Sequence, residues 1–185
     1  VNELSMLCRR MDIDIWEVVQ AASTKPFGYM PFYPGPGVGG HCIPVDPFYL
    51  SWKANEYDFY VNFIQLAAEI NDNMPYYTVS RIAEILDSRQ MPLSTSKLLI
   101  CGVTFKENIG DIRNSPAVQI MGLLMNRGAA VDYADANAPN LEIDGRQLSS
   151  KTPDPQSLHN YDAVIVLVNH SYFDLEEIVE HSSLV

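Results

Sequence analysis

Between Ser23 and Asp46 the sequence carries five prolines, Pro26, Pro31, Pro34, Pro36 and Pro44, and five glycines, Gly28, Gly35, Gly37, Gly39 and Gly40. Proline fixes φ and has no N–H to give, and glycine loses the most backbone entropy on ordering, so neither a helix nor a central strand survives that density. The stretch is therefore a long loop, and a long loop within a compact domain is either functional or disordered. Phe27, Tyr29, Phe32, Tyr33, Phe48 and Tyr49 in and beside it argue for order, because aromatic rings have the most apolar area to bury.

Regular patterning flanks the loop. Leu4, Leu7, Cys8 and Met11 recur at helical spacing, and after a break at Asp12–Asp14 a second helical run follows at Ile15-Trp16-Glu17-Val18-Val19. Tyr49, Leu50 and Trp52 start a further helix, and Val61, Ile64, Ala67, Ala68 and Asn71 mark the next. A separate helix is expected to open at about Pro75, a residue tolerated in a first turn, and to run through Val79, Ile82, Ile85 and Leu86. Met91 to Thr95 is a connector, after which Leu98 to Val103 reads as a buried strand. Ser115-Pro116 opens a helix through Val118, Ile120, Met121 and Leu124 that Arg127-Gly128 ends, Ala130 to Tyr133 is a second strand, and Ala163 to Val168 is a third. Residues 137–160 are expected to be mostly irregular. Strand, helix and strand at these lengths indicate a parallel sheet with crossover helices, so the chain reads as α/β, all-helical over 1–92 with its loop at 23–48, then parallel α/β over 93–185.

Composition narrows the function. The 185 residues, 47% hydrophobic and 19% charged, suit one domain or two small ones and exclude disordered and fibrous classes. No apolar run reaches the ~18 residues of a membrane span, and no basic segment precedes an apolar one at the N-terminus. A net charge of −11 opposes nucleic acid and anionic bilayers as partners, although local donors can still hold a small anion within a Debye length of ~8–10 Å. Cys8, Cys42 and Cys101, odd in number and far apart, suggest neither a disulfide framework nor a metal site, and a reducing cytoplasm is the expected compartment. Because Val1 is no initiator and the chain opens inside a helical pattern, it is expected to be a piece of a longer protein.

The densest chemistry lies in Pro34-Gly35-Pro36-Gly37-Val38-Gly39-Gly40-His41-Cys42-Ile43-Pro44-Val45-Asp46-Pro47. Glycines remove Cβ atoms and let main-chain N–H groups approach a ligand, but the same loop reads equally well as a structural turn. It is neither a P-loop nor a dinucleotide fingerprint, since no Gly-Lys-Ser/Thr ends it and no strand precedes it. Cys42 reads either as a nucleophile or as a small buried hydrophobe. His41 points away from its neighbour in an extended chain and is read as structural. Asp46, between Val45 and Pro47, is either a water-positioning carboxylate or a turn cap.

This block, together with Val103-Thr104-Phe105-Lys106-Glu107-Asn108-Ile109-Gly110-Asp111-Ile112-Arg113-Asn114-Ser115, resembles the UDP-glucose/GDP-mannose dehydrogenases. The resemblance covers essentially the whole chain, as the central helical and C-terminal nucleotide-sugar-binding parts of a three-part architecture. The Thr24-Lys25-Pro26-Phe27-Gly28 lead-in with Phe32-Tyr33-Pro34 is most similar to the bacterial UDP-N-acetylglucosamine 6-dehydrogenase branch, with UDP-N-acetylmannosamine and UDP-glucose enzymes close beside it.

The resemblance implies a Rossmann-like UDP-sugar-binding domain, a helical dimerisation region and oxidation of a sugar C6 alcohol to a carboxylate with two NAD⁺. Cys42 would be the nucleophile and Asp46 would position water or a partner cation. Gly35, Gly37, Gly39 and Gly40 would cradle the substrate beside Phe32 and Tyr33, Phe105 would abut the sugar, and Lys106 would reach a hydroxyl or phosphate oxygen. Arg113 would contact the cofactor pyrophosphate, which suits a guanidinium fork, and Lys25 would bring positive charge near the diphosphate. Where some relatives have a lysine before the aspartate, this chain has Val45, so that residue's role does not carry over. From charge counts alone, Lys106 and Arg113 read instead as partners of Glu107 or Asp111, and Lys25 as a surface lysine. The rows Tyr57-Phe59-Tyr60-Phe63 and Tyr76-Tyr77 are read as packing or subunit interface, and Asn169-His170 as a capping turn at the sheet edge. The NAD-binding domain is expected to precede Val1, outside this chain. A non-catalytic nucleotide-sugar-binding and dimerisation module is the alternative reading, and a cysteine hydrolase finds no supporting spacing.

Overall fold

A computed structural model describes all residues 1–185. Two short helices open the chain, α1 (Asn2–Arg10) and α2 (Ile15–Ser23), the second capped by Asp14, whose carboxylate accepts the Trp16 N–H at 2.8 Å. Thr24 to Val45 forms no helix or strand, as its prolines and glycines require, and α3 (Asp46–Asn55) and α4 (Asn62–Ser88) follow.

The helix α4 corrects the expectation of a separate helix opening at Pro75. It runs for 27 residues straight through that proline. A mid-helix proline costs about 3 kcal/mol, since it deletes one bond and crowds the carbonyl four residues back. Here the second half of the helix repays that by seating Val79, Ile82 and Leu86 in the core against the helix that begins at Pro116, and packing rather than propensity decides the continuation. Asn71, whose carbonyl lost its partner, turns its side-chain amide to the Ala67 carbonyl at 2.7 Å.

The sheet has three parallel strands in the order β2-β1-β5, with β1 (Lys97–Cys101) central, β2 (Ala130–Ala134) and β5 (Ala163–Val166) beside it, and α5 (Pro116–Asn126) crossing between β1 and β2. Leu98, Leu99, Ile100 and Cys101 are wholly buried, as a strand covered on both faces must be. The larger core gathers Val79 and Leu86 of α4 with Leu98, Ile100, Ile120, Leu124 and Tyr133, so it runs continuously across residue 92.

The stretch 137–160 is more ordered than expected. It holds an antiparallel hairpin, β3 (Asn140–Ile143) and β4 (Arg146–Ser149), then α6 (Pro155–Leu158) capped by Asp154. The hairpin turn is Asp144-Gly145, both at positive φ (49° and 76°), the pairing that matches strand twist, and Leu141 and Ile143 point into the core. The third strand ends at Val166, two residues early, because Leu167 and Val168 both give their N–H to the Cys101 carbonyl where the chain leaves the sheet. A last helix, α7 (Leu175–His181), buries Ile178 beneath the sheet's other face.

Candidate functional site

The glycine loop is held by three separate ties. At its start the Gly35 N–H donates to Asn2 Oδ1 at 2.9 Å, and Asn2 Nδ2 donates to Asn71 Oδ1 at 2.8 Å, so α1 and α4 together fix the entry. Further on, the Gly40 N–H donates to the Arg113 carbonyl at 3.1 Å and Asn114 Nδ2 donates to the Gly40 carbonyl at 2.9 Å. At its end the Cys42 carbonyl accepts the N–H groups of Val45 and Asp46, turning the chain into α3.

The loop therefore lies directly on the segment after β1. A Cβ on Gly39 would come within 2.7 Å of Phe105 Cβ and 2.9 Å of the Asn114 carbonyl, and one on Gly40 within 3.1 Å of the Phe105 ring. These glycines exist for close approach. No cleft separates the loop from Phe105 at this point, because the two are packed together. The open space lies to one side, a hollow of about 500 Å³ lined by Gly37, Val45, Asn71, Asp72, Asn114 and Gln119.

Cys42 is exposed, as its place at the head of a loop dictates, and is not the buried small residue of the alternative reading. It sits near Arg113, whose guanidinium is held above its ordinary range first by hydrogen bonds to Asp111, then by the charge of Asp111, with Cys42 contributing. The same pairing, led by the Arg113 side-chain hydrogen bond, pulls the Asp111 carboxyl down to about 2. The guanidinium forks onto Asp111 with N···O distances of 2.6–3.0 Å while its side chain stays 64% exposed, so it retains a free face for an anion. Lys106 is exposed and makes no ion pair. Asp46 stands in the first turn of α3 with its carboxylate free of hydrogen bonds. By contrast, burial pushes the Cys101 thiol up to about 12, which removes it from nucleophilic chemistry.

Not every candidate converges here. The structure brings Gly39, Gly40, Cys42, Phe105 and Arg113 together, with Lys106 next to Phe105 in the chain, while Gly37 faces Pro116 and Asn71. Tyr33 instead stacks on Trp16 at 5.5 Å, Lys25 lies 5.6 Å over the Phe27 ring, and Phe32, Tyr33 and Gly35 line an adjoining, more apolar hollow of about 730 Å³ against α1, α2 and α4, which shares Gly37 and Asn71 with the first. Three residues without an assigned role prove to hold the site, Asn2, Asn71 and Asn114. Signals for two of them were present. Asn71 stands four residues before a proline and so owns a freed carbonyl, and Asn114, at φ 51°, precedes the Ser-Pro that opens α5.

NAD, the implied cofactor, is not cradled by these residues. The glycine that follows β1, Gly102, is filled by its own fold, since a Cβ there would lie 2.1 Å from the Val168 carbonyl, and the N–H groups of Val103 and Thr104 after it are already given to Asp135 Oδ2. Arg113 alone offers a pyrophosphate contact, and one guanidinium does not make a dinucleotide site.

Comparison with known proteins agrees with this arrangement. Residues 1–73 match the central domain of the UDP-glucose/GDP-mannose dehydrogenase family, and residues 99–184 match its UDP-binding domain. The UDP-N-acetyl-D-glucosamine 6-dehydrogenase of Pseudomonas aeruginosa is 38% identical over 94% of this chain and 40% of its own length. The UDP-N-acetyl-D-mannosamine dehydrogenase of Methanococcus vannielii is 31% identical over 93% of this chain and 37% of its own. The native structure of the UDP-N-acetyl-mannosamine dehydrogenase Cap5O from Staphylococcus aureus superposes with a TM-score of 0.71 at 32% identity, covering 93% of this chain and 37% of that one. The UDP-D-ManNAc dehydrogenase of Pyrococcus horikoshii shares the fold at a TM-score of 0.81 and 24% identity, over 99% of this chain and 41% of that one. The chain thus spans about 40% of the length of the curated relatives it matches. With both domain matches falling in order on the helical and the α/β residues, and the loop of the first seated on the strand end of the second, this chain belongs to the UDP-glucose/GDP-mannose dehydrogenase family, of which it carries the central and UDP-binding domains.

Proposed function

We propose that this chain is the C-terminal part of an NAD-dependent nucleotide-sugar 6-dehydrogenase, acting on a UDP-hexose and foremost on a UDP-N-acetylhexosamine. Residues 1–92 would form the central dimerising domain and 93–185 the UDP-sugar-binding domain. The observation that carries the reading is an exposed Cys42 at the end of a glycine loop that rests on Phe105 beside Arg113. Relatives of the same family named for UDP-N-acetylhexosamines support the substrate class.

The chemistry assigned to these residues is covalent. Once the C6 alcohol has become an aldehyde, the Cys42 sulfur adds to the carbonyl carbon and the oxygen takes a proton, forming a thiohemiacetal. Its oxidation yields a thioester, and water then attacks the carbonyl carbon, breaks the C–S bond and releases the carboxylate and the thiol. Sulfur suits both tasks, as a strong nucleophile and a competent leaving group. Asp46 positions the attacking water or a cation. Lys106 neutralises a phosphate or meets a sugar hydroxyl, Phe105 backs the sugar, and the glycine loop faces its oxygens with main-chain N–H groups other than that of Gly40, which the Arg113 carbonyl holds. Phe32, Tyr33 and Gly35 enter only as the wall of the neighbouring hollow, and the position of Lys25 over Phe27 lends its role no support. Both oxidations draw on NAD, whose main site would lie in the length of the relatives that this chain does not span, Arg113 reaching its pyrophosphate.

Two further parts of the reading rest on the surface. Phe63 is 87% exposed, Tyr57 74%, Tyr60 73% and Trp52 65%, a concentration of apolar area that monomers rarely leave bare and that supports a homodimer through the helices. Three free cysteines support the cytoplasm. No helix is long and apolar enough to cross a membrane.

Calorimetry of this chain with UDP tests the binding half and should show saturable heat. The catalytic half is tested in a polypeptide that joins this chain to an NAD-binding part. NADH should form with UDP-N-acetylglucosamine or UDP-N-acetylmannosamine, and Cys42→Ser should abolish uronate. UDP binding with no uronate from any UDP-hexose would favour the second reading, a non-catalytic nucleotide-sugar and dimerisation module.

A further inference from the structure

His170 is wholly buried at the carboxyl edge of the sheet, and every polar atom around it has a defined role. Its Nδ1 accepts the main-chain N–H of Asn108 at 2.9 Å and faces the Asn137 side-chain amide at 3.3 Å, both donors. Its Nε2 faces Asp135 Oδ2 at 3.0 Å and Thr104 Oγ1 at 3.2 Å. Thr104 spends its one hydroxyl proton on the Lys106 carbonyl at 3.0 Å, so its oxygen is an acceptor toward the ring. Donors on one side and acceptors on the other assign the neutral tautomer with hydrogen on Nε2.

The group is not a nucleophile relay. Thr104 and Asp135 meet the same ring nitrogen, and Thr104 is completely buried. What it does is hold a segment of main chain. Asp135 Oδ2 also accepts the N–H groups of Val103 at 2.8 Å and Thr104 at 3.2 Å, and the Asn108 side chain accepts from Ser171 N and Oγ. Residues 103 to 108 are therefore gripped before Phe105, at the Lys106 carbonyl and after Lys106. Phe105 is also the surface on which Gly39 and Gly40 rest.

We propose that His170 is a positioning residue for the substrate's nucleotide diphosphate, clasping the Val103–Asn108 segment so that Lys106 and Phe105 are presented in their receiving geometry. The inference rests on the proposed function, since it takes Lys106 and Phe105 as substrate contacts. Tyr172 provides the contrast. It stacks on the ring at 5.0 Å, donates to Asp135 Oδ1 at 2.9 Å and accepts the Ala136 N–H at 2.9 Å, and makes no hydrogen bond to residues 104 to 108.

The test uses calorimetry with UDP on the 185-residue chain, with thermal melts alongside. His170→Gln and His170→Asn, which each restore only part of the ring's bonding, should bind UDP about tenfold more weakly, equivalent to about 1.4 kcal/mol. Tyr172→Phe should lower the melting temperature while binding UDP as the unsubstituted chain does. In the joined enzyme the His170 variants should raise KM for the UDP-sugar and leave kcat nearly unchanged. Unchanged UDP affinity in both His170 variants, or an equal loss in Tyr172→Phe, overturns the inference and leaves the proposed function standing. An unsubstituted chain that takes no UDP overturns both. If neither His170 variant melts cooperatively, amide exchange of Asn108 in the unsubstituted chain decides. Added protection on UDP binding supports the clasp, and indifference overturns it.

Discussion

At the scale of single residues, the site is governed by where a Cβ can and cannot be placed. Gly39 and Gly35 are both glycines of one loop, but only the first is pressed against a neighbour. Gly39→Ala would drive a methyl to 2.7 Å from Phe105 and 2.9 Å from a main-chain carbonyl that cannot swing aside. It should cost about 1–3 kcal/mol, read as a lower urea midpoint. Gly35→Ala points into open space and keeps its N–H on Asn2, so its midpoint should stay within about 0.5 kcal/mol of the original. Equal midpoints for the two variants would mean that the loop does not rest on Phe105. The glycine spacing alone does not separate these two roles, because what distinguishes them is a partner 66 positions further along the chain than Gly39.

At the scale of elements, α4 carries the most information. Its first half presents Phe63 and Leu66 to solvent, and its second half buries Val79, Ile82 and Leu86 in the core against α5. Its middle gives Asn71 to the glycine loop through Asn2. The helix thus joins the helical residues to the α/β residues, and Pro75 frees a carbonyl where the loop passes. Leu86→Ala, at 1% exposure, should lose about 2–5 kcal/mol in chemical denaturation with a single transition. A loss below about 1 kcal/mol would show that this turn does not belong to the core. The helical period around Pro75 was legible on both sides of the proline. Continuity across it was not, since local propensity argues for a break and only the docked stripe Val79, Ile82 and Leu86 outweighs it. The hairpin at Asp144-Gly145 is the opposite case, because its turn dipeptide and alternating Leu141 and Ile143 were there to be read.

For the whole molecule, the shifted acids and phenols define a window of pH stability. Asp111 is pulled down to about 2, chiefly by Arg113. Asp135 is also lowered, burial pushing it up but hydrogen bonds from Val103, Tyr172 and Asn137 outweighing that. A carboxylate whose folded value is depressed stabilises above its unfolded value of about 4 and loses that contribution as pH falls toward 2. Cys101 and Tyr172 run the other way. Burial, aided at Tyr172 by Asp135, raises both to about 12, so their contribution is complete below their unfolded values of roughly 9 to 10 and is lost as pH climbs toward 12. Thermal melts should therefore show a plateau between about pH 4 and pH 9 with losses on both flanks, and Asp111→Asn should flatten the acid flank. A melting temperature still rising between pH 4 and pH 3 would contradict the Asp111 and Asp135 assignments. What the amino-acid order determined by itself is local: the loop from its prolines and glycines, the helices and strands from their apolar periods, and the family from two motifs. The tertiary structure alone decided that Gly39 and Gly40 lie on Phe105, that Asn2 and Asn71 anchor the loop, that Lys25, Phe32 and Tyr33 stand apart from Cys42, and that His170 grips residues 104 to 108. Each of those is a contact between side chains or carbonyls far apart in sequence, and such contacts are selected by the packing of the whole core rather than by any neighbouring residue.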